Sequence, residues 1–471
     1  DWAAYGARLE YCAFCQNRFR TGFTMPSRAI GIDCSGGPTC CNAGPCGAAQ
    51  AAAMKVLILG GYGTFGGRVV ELLADLDGAE LVVAGRNLSK AQAFCEAFRG
   101  VAKLTPLALD RAGVAKALEA QRYDALVDAS GPFQAYGDDP YGVVRACLTA
   151  KVPYFDLADG VDFVDGISRF DDEAKSAGIP ILSGVSSFPV LTAAVLREIA
   201  KHMDIRSVSA GIAPSPHAKV GLNVMRAILG YAGEPVAVMQ GGEMTTAIGL
   251  GNTRRVTISA PSVMPLGMRV FSLVDVPDHR VIPAEMPEVM EIWIGAGPVP
   301  GYLHRFLVLL AQARAKFNLP RLTPLAPLCL WVLNIFAHGE HRGGMFVRVQ
   351  GLRNNEQATT SWHLVAEGDA GPLIPSMAVA VLLRDLAAGR SRPPGARAAT
   401  RDLSLTDYEV LFAQHGIKSG FRQDQPASKN LYRNTLAGAF LEMPPALQAL
   451  HTVERKHVWS GRADVRRGRN P

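Results

Sequence analysis

Gly61, Gly63 and Gly66 stand in the spacing G-x-G-x-x-G, directly after the aliphatic run Lys55–Leu59 and before the helical periodicity of Gly67–Asp75. In that context the spacing has a mechanical meaning. Gly61 permits a tight bend, Gly63 lets backbone approach a pyrophosphate, and Gly66 lets helix pack on strand. Tyr62, Thr64 and Phe65 complete the turn. The helix N-terminus behind it offers free N–H groups and the positive end of its dipole to phosphate oxygens. A second strand, Glu80–Ala84, runs into Gly85-Arg86-Asn87, twenty residues past Gly66. An acid there would hold a ribose 2′-OH, whereas the Arg86 fork suits a 2′-phosphate. The expected cofactor is therefore NADP, as NADPH, rather than NAD. The bland alternative is an arginine solvated at a strand end.

These residues need a scaffold, and the chain supplies one by alternation. Ser89 can cap a helix running to about Phe98, and Leu104–Leu109 is a third strand ending in Asp110. Ala125–Ala129 is a fourth, ending in Ser130-Gly131-Pro132-Phe133, with Tyr154–Leu157 and Ile179–Ser183 as the fifth and sixth. Helical segments at 112–120, 141–151 and 170–177 separate them. Strands alternating with helices predict an α/β fold, a Rossmann-type doubly wound parallel sheet that binds ligand at the strands' carboxyl ends. The candidate cofactor contacts Gly61, Tyr62, Gly63, Thr64, Phe65, Gly66, Arg86, Asn87, Asp110, Ser130, Gly131 and Pro132 all lie at such ends.

Gly60-Gly61-Tyr62-Gly63-Thr64-Phe65-Gly66, Ala84-Gly85-Arg86-Asn87, Ser130-Gly131-Pro132-Phe133 and Tyr154-Phe155-Asp156-Leu157-Ala158, with the later Glu367–Ser376, form an ordered set. Together they resemble the saccharopine dehydrogenase-like NADP-binding oxidoreductases over roughly Met54 to Ile417. The resemblance implies that the Gly-Pro-Phe turn lies near the nicotinamide. It also implies an inserted second α/β, mixed-sheet domain after the sixth strand, and a late helix, here Ile374–Ala388, that packs back on the cofactor domain. Members of the family reduce either an imine between an aminoadipate semialdehyde and glutamate or enoyl groups of lipid precursors, so kinship does not name the substrate.

The resulting organisation is an N-terminal extension (1–53), the nucleotide domain (54–204), an inserted substrate or dimerisation domain (205–366), the returning helices (367–417), and a linker with the start of a further domain (418–471). Catalytic candidates are few. Tyr154 and Asp156 end the fifth strand beside the expected nicotinamide position and suit polarising or protonating a reacting group; Asp156 equally suits hydrogen bonding to backbone in the crossover. His341, in Gly339-Glu340-His341-Arg342-Gly343-Gly344, suits proton transfer or, with Arg342, a carboxylate, or else an exposed turn. No Tyr-x-x-x-Lys, Gly-x-Ser-x-Gly, His-Glu-x-x-His or Gly-Lys-Ser/Thr occurs, leaving hydride transfer as the supported chemistry. It would act on a C=N, C=O or C=C carbon of a small or lipid-like substrate. A cofactor-binding sensor without turnover and a membrane-peripheral enoyl reductase are the competing readings.

Composition agrees. The chain has 471 residues, 48% hydrophobic and 19% charged, enough for two or three domains with sizeable cores. The net charge of +6 is concentrated at the end: from Phe421 onward nine Lys and Arg face four Asp and Glu. The body lacks the basic face of a nucleic-acid binder. Six of nine cysteines precede residue 47, and Cys12-x-x-Cys15 has no matching second half, so no metal site is expected. Cys95, Cys147 and Cys329 sit in apolar settings, which fits a cytoplasmic protein. Gly301–Ala337 is strongly apolar yet too interrupted to span a membrane. It suits a core, a homodimer interface, or a greasy or membrane-facing surface. The first 53 residues are expected to be a disordered extension before an initiator Met54. Leu431–His451 resembles the opening of an uncharacterised fused domain, cut short.

Overall fold

A computed structural model describes residues 54–218, 221–336, 338–423 and 438–451. The cysteine-rich extension and most of the C-terminal piece lie outside the described residues.

Six parallel strands build the first sheet: β1 (Met54–Leu59), β2 (Ala79–Gly85), β3 (Lys103–Ala108), β4 (Ala125–Asp128), β5 (Tyr154–Asp156) and β6 (Pro180–Ser183). Their order is β6-β5-β4-β1-β2-β3, so the spatial progression of successive parallel strands switches sides between β1 and β4. Alternate residues of β1 feed two different cores. Val56 and Ile58 enter one, Leu57 and Leu59 the other. Burial of each contributes roughly 1.5–3 kcal/mol, and the continuous aliphatic run follows from having both faces covered.

The second sheet is mixed. It contains β7 (Asp204–Ala213), and β8 (Pro235–Gln240) and β9 (Glu243–Ile248) form a separate hairpin beside it. The sheet continues with β10 (Thr253–Val256), β11 (Arg269–Leu273), β12 (Glu291–Ala296), β13 (Gly343–Arg353) and β14 (Glu356–Ala366), in the order β10-β11-β12-β7-β13-β14. Only the β12–β7 pairing is parallel. The helix Ile374–Ala387 then returns to the first sheet as the sequence predicts. Ser376 donates to the Phe65 carbonyl (3.0 Å) and Arg384 to that of Leu72 (2.7 Å), fastening it to the helix behind the glycine turn.

Two local expectations change, and an unanticipated strand, β15 (Gly395–Ala398), joins the first sheet as a seventh parallel strand beside β6. Its Gly-Ala-Arg-Ala has no β-branched residue, so backbone pairing alone decides it. The polar stretch after 417 is not wholly a linker, since β16 (Ile417–Gln423) pairs antiparallel with β14 at a sheet edge, where polar residues are tolerated. Finally, Asn87 rather than Ser89 caps the helix Leu88–Ala97, accepting from the Lys90 N–H at 2.9 Å.

One packed group has a pH consequence. Asp278 opens the helix Asp278–Glu285 fully buried, and neither carboxylate oxygen meets a protein donor. Burial pushes its carboxyl up to about 7, softened by Thr192, which lies close without hydrogen-bond geometry. The folded state thus holds a proton that the unfolded chain has released, so stability falls as pH rises from about 4 through about 7. Asp278→Asn is expected to raise stability at pH 8 by on the order of 2 kcal/mol, a discount on the full ionisation penalty because buried sites relax. Below pH 4 the difference should vanish. Denaturant melts across pH read it directly, and a gain equal at both pH values would refute the assignment.

Candidate functional site

At the carboxyl ends of the first sheet, where β1 and β4 part, lies a cleft of about 1370 Å³. Its floor is the turn after β1. Gly60 has φ +70°, and a Cβ there would lie 2.6 Å from the Ala129 carbonyl oxygen. Glycine is thus required by both conformation and contact. A Cβ on Gly66 would come 2.3 Å from the Gly60 carbonyl oxygen. The turn closes with Gly63 donating to Gly60 (2.8 Å), and no side chain caps the helix Gly66–Leu72 behind it. Gly67 already donates to the Gly63 carbonyl (2.9 Å), so the N–H groups of Thr64, Phe65 and Gly66 are the ones positioned to meet an anion.

Tyr62 packs over Gly85, where a Cβ would meet its ring at 2.4 Å, and its hydroxyl accepts from the Asn87 N–H (3.1 Å). Arg86 extends from the end of β2, exposed, with no ion pair to any described residue. A guanidinium beside an open glycine turn is placed to meet an anionic group of a bound dinucleotide.

The opposite wall is the turn after β4, held by a buried ion pair. Asp128, fully buried, pairs with Arg111 and accepts from the Ser130 N–H (3.0 Å) and hydroxyl (2.6 Å). Burial disfavours the Arg111 charge, but Asp128 outweighs it and keeps the guanidinium above its ordinary range. Arg111 also stacks over Tyr136, 3.4 Å from the ring centre. Removing either ion would leave the other stranded, so the pair fixes where Gly131 and Pro132 sit. Across the cleft, Asn223 of the helix Leu222–Tyr231 donates to the Gly131 carbonyl (3.1 Å), closing the second sheet's side over this turn.

Asp159, Asp275 and Tyr231 also line the cleft. Asp159 keeps oxygens reachable from the cleft although protein crowds it on most sides. That crowding pushes its carboxyl up, partly offset by a 3.0 Å bond from Gln134. Burial and the charges of Asp162 and Asp159 raise Asp275, with Arg280 opposing. Tyr231 is raised by burial and by Asp275 and Asp159, which puts the three groups within electrostatic reach of one another.

The predicted site residues divide clearly. Tyr62, Gly63, Thr64, Phe65, Arg86, Asp110, Ser130, Gly131 and Pro132 line the cleft. Gly61 and Gly66 are buried beneath it as packing glycines, and the Asn87 side chain is engaged as a cap. Tyr154 and Asp156 are fully buried and do not line the cleft. Asp156 accepts from Gly184 (2.7 Å), Ala158 (2.9 Å) and Ser183 (3.1 Å), while burial raises its carboxyl to about 7. His341 stands elsewhere, exposed, 2.5 Å from Asp369 and stacked on His217. Asp159, Asn223, Asp275 and Tyr231 were not anticipated. Asp159 could have been, since it follows β5 at the carboxyl edge; the other three come from the second domain, whose register over the first no local pattern encodes.

Residues 56–182 match the family described as saccharopine dehydrogenase NADP binding domain. Over these residues the chain carries a saccharopine dehydrogenase-like NADP-binding domain. Apo saccharopine dehydrogenase (L-Glu forming) from Saccharomyces cerevisiae is 15% identical, covering 79% of this chain and 100% of its own, with a TM-score of 0.56. An amine dehydrogenase from Mycobacterium smegmatis is 14% identical over 75% of this chain and 96% of its own, with a TM-score of 0.39. No curated protein sequence matches the chain. Such identities speak for fold alone, and the saccharopine dehydrogenase-like domain is the part assigned by sequence. Among described residues no cluster suits a metal ion and no helix is long and apolar enough to cross a membrane.

Proposed function

We propose that the protein is an NADP-dependent oxidoreductase that transfers hydride to or from a C=N, C=O or C=C carbon. The observation that carries this reading is one cleft lined both by an uncapped glycine turn with Arg86, which pairs with no described residue, and by Asp159. NADPH, when bound, supplies the hydride. Gly63, Thr64 and Phe65 would hold its diphosphate and Arg86 the 2′-phosphate, with Ser130, Gly131 and Pro132 flanking the nicotinamide. The residues of this chain then orient substrate, exclude water and handle a proton. Asp159 is assigned the proton: it faces the cleft, and crowding favours its protonated form. Tyr154 and Asp156 are better placed to set the β5 crossover than to touch substrate, and His341 lies apart.

Fluorescence titration with NADPH and NADH tests the cofactor assignment. Arg86→Ala is expected to weaken NADPH about 10- to 100-fold, the loss of one charge-assisted contact, and to leave NADH unchanged. Equal wild-type affinity for both nucleotides would remove the 2′-phosphate argument.

A further inference from the structure

The helices Gly301–Phe317 and Ala326–Ile335 bury only their inner faces. There Val308 and Ala311 of the first and Ala326 of the second are buried, the last two packing with Met225 and Leu229 of the helix Leu222–Tyr231, which lines the cleft with Asn223, Arg226 and Ala227. The outer faces carry two apolar stripes at helical spacing. Phe306, Leu309 and Phe317 form one and Leu328, Trp331 and Ile335 the other, each residue 55–66% exposed. Single exposed apolar residues are ordinary, but the two stripes lie on helices joined at the surface by exposed Tyr302 and Phe336, whose ring centres are 6.4 Å apart, and such a surface is not explained by water alone.

Charge decides what covers it. No Asp or Glu occurs between Glu291 and Glu340, and Arg305 and Lys316 are exposed among the apolar side chains, whereas Arg321, in the joining segment, pairs with Glu234 (3.7 Å). A solvated surface mixes both signs, and a protein interface is depleted of cations such as Lys toward its core. Helices carrying apolar and aromatic side chains with cations, and no carboxylate of their own, have the composition of helices lying in the interface of an anionic bilayer. The first helix, 17 residues, is too short and too charged to span.

We propose that this helix pair is a docking surface for anionic membranes. Arg321 and Thr323, in the segment joining the two helices, line the cleft, so docking brings the cleft to the bilayer. The substrate class that geometry favours is a membrane-partitioned amphiphile; that part alone rests on the hydride-transfer reading.

Flotation of the full chain with phosphatidylcholine vesicles, with and without phosphatidylserine, tests the surface, with NADPH titration of the same samples as a check on folding. Wild-type protein is expected to float with the phosphatidylserine vesicles and to be released by salt. Phe306→Glu with Trp331→Glu, and separately Arg305→Glu with Lys316→Glu, should each lower the bound fraction about ten-fold or more while NADPH binding persists. Absence of flotation by NADPH-binding wild-type protein overturns the proposal, as does flotation indifferent to both pairs of substitutions. A dimer that the apolar pair converts to monomer, without vesicle binding, would assign the face to a second copy and equally overturn it. Flotation without NADPH binding would sustain the docking surface and sink only the hydride-transfer reading.

Discussion

Gly66→Ala is expected to lower NADPH affinity by on the order of a hundredfold or more, the scale on which misplacement of about 1 Å acts at an organised site. The new Cβ would lie 2.3 Å from the Gly60 carbonyl oxygen, 2.8 Å from its carbon and 2.9 Å from the Gly61 Cα. All three are backbone atoms, so no side chain can rotate away. Either the helix Gly66–Leu72 retreats from β1 or the turn opens, and both displace the N–H groups that would meet a diphosphate. Gly60 cannot yield easily, because its own approach to Ala129 ties it to the turn after β4. Overpacking of this kind costs roughly 1–3 kcal/mol, so the midpoint of thermal unfolding should fall as well. Gly267→Ala, at a position with nothing within 4 Å, is the matched control and should behave as wild type. Undiminished NADPH binding by Gly66→Ala, read by fluorescence titration, would show that the turn is not the diphosphate cradle.

The first-sheet wall of the cleft was legible because each of its parts is local. A bend, a close approach and a strand end are properties of a few consecutive residues, and Gly61, Gly63, Gly66, Arg86 and Ser130–Pro132 announce them by type and spacing. The alternation that predicts the first sheet is likewise written segment by segment, and Val56–Leu59 shows why: burial on both faces demands an unbroken aliphatic run. What failed to show was pairing between distant segments. β15 and β16 join sheets through backbone hydrogen bonds, which carry little side-chain signature. The wall that the second domain adds to the cleft failed to show for the same reason. Asn223, Tyr231 and Asp275 reach the cleft only because the second domain folds over the first. Tyr154 and Asp156 misled in the opposite sense: their strand end is correct, but the β5 crossover turns them inward, where Asp156 organises backbone N–H groups of two loops.

Asp159→Asn should lower turnover by about 10²–10⁴-fold, the range typical of losing a positioned proton carrier, with NADPH affinity unchanged. The amide keeps the shape and a hydrogen bond to Gln134 but cannot exchange a proton at the cleft. The neighbouring Gln134 separates a chemical role from a structural one. Its side chain donates to Asp159 and favours the charged carboxylate, against the crowding that favours the acid. Gln134→Leu should therefore raise the Asp159 carboxyl further. In the reductive direction the acid form is the active one, so the alkaline fall in kcat should move to higher pH rather than simply lose height. In the oxidative direction the carboxylate is required, and the acidic limb should move the same way. A pH–rate profile of Gln134→Leu lower everywhere but unmoved would make Asp159 a wall residue, and the proton would have to be sought at Tyr231 or Asp275.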